Sequence, residues 1–504
     1  HQVTINSAGN VAKGVTIQTG GVLTMTGGDL IVDACTPRAD AKFDIGAGTF
    51  DMQGGTLTVN GSFRTLDTST GVFKQSGGTI IVDGNNGVAS ESVASHIVDF
   101  YCNNLNHLQL TGGTFIVVDP PASTTTTNCA FKVFPSSTAG FAASSGSSWN
   151  LTFGNGTQTN NGGHANGYLI NLNNTNSFKI GRAITIDAPI GSGSNRHVSS
   201  NAASPYTTPI GGLIINNGSE FRIPTSGNAV VNGDITNNGT MTAIGTLIFA
   251  DWAAATQVTA TVPATIDGGG VFQNSATTPS ANLASMTVNN SGGLSFNVPL
   301  TMSGTLLMTK GIINTTATNT LRLGTITAAG TLSTSSVFGN DTHINGPFLR
   351  TFGTTTATNT FTNIHLWPVG KSGKYQPIWL SPTTTAAGTI FTGEAFDSNS
   401  GSAGPGVTNL SNSTWSIIPN TAANLTNVHV QLSDAGITPS NLILQAPSSN
   451  GAYSGIVTGT LYSAGPPITL KTNPNGSPIP AASFTGYFAY GDLPSCTTPT
   501  AQPT

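Results

Sequence analysis

The densest gathering of chemically capable side chains lies in "FKIGRAITIDAPIGSGSNRHV", where Lys179, Arg182, Asp187, Arg196 and His197 fall within 19 residues. Cations beside an aspartate and a histidine are the ingredients of a lyase-like site. Lysine would neutralise an anionic sugar, and arginine or histidine would remove a proton. The same residues also read as a strand with solvated cations followed by a glycine- and serine-rich loop. The remaining acids are few: 20 in all, ten of them before residue 120. Asp29, Asp33, Asp83 and Asp119 each flank a short apolar phrase, and side-chain to backbone capping of turns accounts for that placement. A stacked row of such aspartates is a candidate for Ca²⁺, although "GGTIIVDG" lacks the GGxGxDxUx spacing of calcium-binding rolls. No other metal and no cofactor is expected, because no HExxH, GxSxG, phosphate-binding or dinucleotide-binding loop occurs.

Two other kinds of residue carry candidate chemistry. Trp149, Tyr206 and Trp252 are candidates for stacking on sugar faces, with burial in a core as the competing reading for the tryptophans. The four cysteines, Cys35, Cys102, Cys129 and Cys496, are too scattered for a zinc site. A Cys102–Cys129 bridge is the preferred expectation, since their separation of 27 residues is about one repeat and would set them near each other on adjacent turns. Free buried thiols are the alternative.

These residues sit on a repetitive framework. "TGGDLIVDA" at 26–34, "QGGTLTVNG" at 53–61, "SGGTIIVDG" at 76–84 and "TGGTFIVVD" at 111–119 share one grammar: two glycines, a polar residue, an apolar run, then Asp or Asn. A phrase that occurs four times is a building unit before it is a site. The pairs Gly27 and Gly28, Gly54 and Gly55, Gly77 and Gly78, and Gly112 and Gly113 are expected at corners, each starting a short β-branched strand. Intervals of 27, 23 and 35 residues between the first glycines suit a parallel β-helix, or β-solenoid, with loops of varying length. In that architecture inward Ile, Val, Leu and Phe stack into a core, while outward Thr, Ser and Asn form ladders without charge repulsion.

Composition agrees with this picture. Charged residues make up 7% of 504, against roughly 25% in an ordinary soluble domain. A net charge of −4 and the lack of any basic run exclude nucleic acid as a partner. No 18-residue apolar run exists to span a membrane. A near-neutral surface lacks self-repulsion, so association with copies of itself or with a matrix is expected. The opening "HQVTINSAG" has neither an initiator Met nor signal-peptide regions, which points to a processed or excerpted start.

The pattern loosens after the fourth phrase but continues to about residue 340, with loop-like insertions over 121–210. From 341 to 494 the strands lengthen and alternate. In "NVHVQLS", Val428, Val430 and Leu432 share one face and His429, Gln431 and Ser433 the other, which predicts a half-buried antiparallel strand. The expected fold is therefore all-β: a β-solenoid over 1–340, an antiparallel β-sandwich over 341–494, and a linker or tail over 495–504.

The phrases "SMTVNNSGGLSFNVPLTMSGTLLMTKGIINTTATNTLRLG", "INGPFLRTF", "WPVG", "GYFAYGD" and "CTTPTAQPT" resemble the large extracellular β-helix proteins that Bacteroidota export by type IX secretion. The resemblance implies a secreted, surface-attached or matrix protein, often adhesive, without a single agreed activity. It implies a solenoid, then a sandwich, then a Thr/Pro linker. On this reading the chain is a structural or adhesive protein that self-associates or binds other surface proteins or glycans, and assembles into a filament or sheath. A polysaccharide-binding or lyase-like protein is the alternative.

Overall fold

A computed structural model describes residues 1–33, 41–65, 71–83, 96–102, 107–118, 129–135, 149–156, 168–171, 180–187, 198–200, 210–225, 227–251, 263–275, 278, 280–326, 330–353, 364–438, 440–455, 460–463, 469–472 and 478–493. Among them the chain is all-β with large parallel sheets. No α-helix occurs there; 3-10 turns lie at Ala422–Asn424 and Ala481–Ser483. The chain divides into two compact units, His1–Gly292 and Gly293–Thr504.

In the first unit the four repeated phrases lie side by side in one parallel sheet. Val22–Val32 pairs with Thr49–Val59, which pairs with Val72–Val82, which pairs with Leu108–Val117. Val22 stands beside Thr49, Thr49 beside Val72, and Phe73 beside Leu108. The register therefore advances by the same 27, 23 and 35 residues that separate the glycine pairs. Asn150–Phe153, Ile180–Ile186 and Ile210–Ile215 extend the sheet, so the 121–210 segment keeps the ladder going between its inserted sequences. A second parallel sheet runs through Val15–Ile17, Lys42–Ile45, Ser62–Thr65, His96–Cys102 and Cys129–Pro135.

The glycine pairs are not where strands start. Each lies in the middle of a strand of 10 or 11 residues, in "VLTMTGGDLIV" and its counterparts. Pairing slips locally there, as between Met25 and Asp29, and the second glycine takes a positive φ. The strand thus bends without ending. At Gly55, φ is 78° and a Cβ would fall 2.3 Å from the Gly28 carbonyl oxygen on the preceding repeat. Only a residue without a Cβ meets both demands, which is why the pair recurs at matched register.

Alternate side chains turn inward and stack on their own counterparts. Leu30, Leu57, Ile80 and Phe115 form one buried row, and Val32, Val59, Val82 and Val117 another. Phe43 stacks on Phe63 at 5.2 Å with rings nearly parallel, and Phe50 on Phe73 at 5.7 Å. Each ring adds apolar burial to a core only a few side chains wide.

The second unit begins with parallel pairs as well, Leu294–Phe296 with Ile313–Asn314 and Leu300–Met302 with Leu321–Leu323. Phe348–Phe352 is the change-over strand: Leu321–Leu323 pairs with it in parallel, and Thr389–Phe396 antiparallel. Beyond it lie two antiparallel sheets. One runs from Thr389–Phe396 through Thr414–Pro419 and Tyr487–Gly491 to Leu442–Ala446. The other centres on Leu425–Ser433, between Ile378–Thr384 and Thr469–Thr472. Trp367 of the second sheet's His365–Trp367 strand stacks on Phe352 of the first at 5.7 Å. The half-buried reading of "NVHVQLS" is corrected here. His429 and Ser433 are buried along with Val428, Val430 and Leu432, so the second face of this strand is covered at those positions and not open to solvent.

Candidate functional site

The lyase-like constellation is only partly within the described residues. Lys179, Arg196 and His197 lie outside them. Arg182 occupies a backbone position in Ile180–Ile186, and Asp187 ends that strand. Asp187 behaves as a corner residue: its carboxylate accepts from Asn216 Nδ2 at 2.8 Å, its carbonyl accepts from the Gly156 N–H at 2.8 Å, and its own N–H donates to the Phe153 carbonyl. Asp33 and Asp83 hold equivalent stations, donating their N–H groups to Ala12 and Val59 one repeat back. Asp29 is different, since it lies inside the Val22–Val32 strand and is exposed. Asp119 is outside the described residues. No cluster of three or more metal-ligating side chains occurs among those described.

The proposed cysteine bridge is overturned by strand register. Cys129 pairs with His96 and Cys102 with Pro135, at opposite ends of the same two strands. Six residue steps at ~3.3 Å put the two Cα atoms about 20 Å apart, whereas a disulfide needs them within ~7 Å. Cys35 and Cys496 lie outside the described residues. Trp149 is corrected too. It is 1% exposed, packs on Phe115 and donates its indole N–H to Gln75 Oε1 at 2.7 Å, so it offers no face to a sugar. Tyr206 and Trp252 lie outside the described residues.

Gln75 was not anticipated as a core residue, although the alternation Phe73, Gln75 in "VFKQSGG" places it inward. It occupies the row of Met25 and Met52, and its amide also donates to the Thr114 carbonyl at 3.2 Å. A second unanticipated network joins Gln273, Thr242, Glu220 and Arg222. Thr242 donates to Glu220 at 2.6 Å and accepts from Gln273, while Arg222 grips both carboxylate oxygens. Glu220, the one acid of this network, has both oxygens engaged, which suits a strut.

Charge is distributed unevenly over the outward columns of the first unit. One column holds Asp51 beside Lys74. On the second sheet Asp44, Arg64 and Asp99 stand in consecutive register, with Arg64 bidentate to Asp44 at 2.8 Å. Hydrogen bonding to Asp44 raises the Arg64 guanidinium further above its ordinary value. The column on the second half of the long strands has no such residues. Ile31, Thr58, Ile81 and Ile116 stand in direct register, and Thr152, Thr185, Ile214 and Thr236 continue the row. All eight are β-branched, uncharged and directed outward. Thr56, Thr79 and Thr114 run alongside. Aligning "TLTV", "TIIV", "TFIV", "NLTF", "AITI" and "GLII" would have revealed the column, because one position of each phrase supplies it.

Gln2–Ile5, Asn10–Ala12 and Val15–Ile17 pair on one side only among the described residues. Val3 and Val11 are 54% and 69% exposed, and Val3 joins Ile5, Val15, Ile17, Leu23 and Leu30 in lining an apolar cavity of about 480 Å³.

In the second unit Asp434 is the most heavily engaged acid. Ser413 and Gln376 donate to one oxygen at 2.6 and 2.7 Å, and the Gly436 N–H to the other at 2.6 Å. Burial pushes this carboxyl up, but the donors outweigh it and hold it below the ordinary carboxylate range. Arg350, 6% exposed, lies over the Trp367 ring and donates to the Leu366 carbonyl. Burial lowers its guanidinium to about 10. Burial, helped by Arg350, pushes His365 down to about 4.

In comparisons with family models, curated proteins and solved structures, nothing matches this chain.

Proposed function

We propose that this chain is a secreted structural or adhesive protein of the cell surface or extracellular matrix, built as a β-solenoid followed by a β-sandwich, and that it works by contact instead of by catalysis. The observation that supports this most is the uncharged column running from Ile31 to Thr236 across eight neighbouring strands. A surface made by repetition multiplies weak contacts along its length, so affinity grows without a deep pocket. β-Branched side chains suit that role, since their restricted χ1 leaves little freedom to lose on contact.

The type IX resemblance supports an extracellular location. Assembly into a filament or sheath belongs to this reading, because a near-neutral surface lacks the self-repulsion that keeps copies apart. Copies of the chain, other matrix proteins and glycans are the partners this reading allows.

The test is retention of the purified chain, under flow, on glass and on neutral and acidic polysaccharide films. The chain should be retained, and Ile81→Lys with Ile116→Lys should remove most of the retention while leaving the fold intact. Equal retention of the variant, or release of unsaturated sugars from polyuronates, would overturn the reading.

A further inference from the structure

We infer that the uncharged β-branched face of the first unit pairs with the same face of a second copy of this chain. The inference deepens the structural reading and rests on it, by naming the partner of the column described above. Charge selects this face. From Ile31 to Thr236 the row contains no ionisable side chain, so two copies laid face to face meet no like charge along it; Asp267 follows Thr236, and Asp29 stands in the neighbouring Thr56–Thr79–Thr114 column. The Asp51–Lys74 column and the Asp44–Arg64–Asp99 column would each have to find a matching register.

Geometry supplies a self-complementary centre. Ile81 and Ile116 are neighbours in the row, flanked by Thr58 and Thr152. A twofold axis between the two isoleucines sets Ile81 of one copy against Ile116 of the other, and Thr58 against Thr152. Nearest the axis apolar then meets apolar and hydroxyl meets hydroxyl in an isologous contact, with Ile31 against Thr185 beyond them. Sheets pack this way at ~10 Å through interdigitating side chains.

Area sets the strength. The axis sets the six strands from Ile31 to Thr185 against their own mates; six strands at ~4.8 Å span about 29 Å, and a face about 14 Å wide gives roughly 400 Å² per copy. The pair would bury about 800 Å², in the range of weak, transient contacts. Pairing should therefore be weak in dilute solution and take hold where copies are crowded or aligned.

Sedimentation equilibrium of the full chain over a wide concentration series tests this. A reversible monomer–dimer equilibrium is expected. Ile116→Lys, which places two cations beside the axis, should weaken it at least about tenfold. Thr24→Lys, on the column that carries Asp51 and Lys74, should leave it unchanged. Melting curves that match the parent show that each variant folds, and Ile116→Thr should retain most of the pairing if lysine disturbs the strand. A chain that stays monomeric throughout, or a dimer indifferent to Ile116→Lys, overturns the inference. So does an Ile116→Lys variant that dimerises normally yet no longer binds a neutral polysaccharide or an ice surface, because the occupant is then something else. A monomer that is still retained on surfaces sinks the pairing alone, and a dimer that is not retained sinks the adhesive reading alone.

Discussion

The first unit and the antiparallel part of the second solve the same problem of satisfying β backbone in different ways. In the first, a side chain's neighbour is its counterpart one repeat away, as Thr58 stands beside Ile81 and Phe50 beside Phe73. In the second, contacts join unlike segments: Asp434 is held by Gln376, 58 residues earlier, and Trp415 donates to the Gln376 carbonyl across 39 residues. A repetitive stack spreads its stability over equivalent neighbours, whereas the antiparallel sheets concentrate it in a few buried polar anchors. Damage should therefore stay local in the first case and spread in the second.

The largest effect that tests this contrast is expected from Trp415→Ala. Trp415 is fully buried and its indole N–H is paired, so truncation should destabilise by roughly 3–5 kcal/mol. Amide hydrogen exchange should speed up throughout Thr389–Phe396, Thr414–Pro419 and Tyr487–Gly491, while Val22–Val32 and its neighbours stay protected. Confinement of the change to Thr414–Pro419 would remove the contrast.

Acid gives the next test. His365 is held at about 4 against an ordinary 6.5, so the folded state keeps it neutral where the unfolded chain takes up a proton. Its contribution is complete above pH 6.5, declines as pH falls toward about 4, and is gone below that; by linkage it reaches up to about 3 kcal/mol. Denaturant unfolding of the antiparallel strands should become easier over that interval, and His365→Gln should flatten the dependence. An unchanged slope in the variant would assign the sensitivity elsewhere.

The smallest expected difference lies between two glycine substitutions and sharpens the comparison within the first unit. Gly55→Ala meets a positive φ and a carbonyl at 2.3 Å, while Gly20→Ala meets a φ of 72° with open space around it. The second should cost about 1 kcal/mol for the left-handed backbone alone, and the first about 1–3 kcal/mol more. Lost protection should reach Val22–Val32 and Val72–Val82 and stop there. Equal costs would mean the close approach of repeats is unimportant.

Much of the first unit could be read from its phrases because repetition turns a three-dimensional neighbour into a sequence offset. The intervals of 27, 23 and 35 residues are the strand register. The glycines were assigned to strand starts because β-branched residues follow them. "VLTM" and "TFDM" before them also alternate, and a bend within one strand leaves the same glycine mark as a break between two. The Cys102–Cys129 expectation failed for a related reason: a separation of one repeat guarantees adjacent strands but not the same height on them. Asp434 left only "SDAG" as a turn signal, since its partners Gln376, Ser413 and Tyr490 come from other segments.

The amino-acid order alone determined that the chain is β-rich, poor in charge and repetitive, because strand propensity, composition and period are local properties. Tertiary structure decided which outward positions line up into one neutral face, and which polar side chains, such as Gln75 and Asp434, are drawn inside. Those outcomes depend on the register between strands that the chain brings together only by folding, and a shift of one residue would turn every side chain to the opposite face.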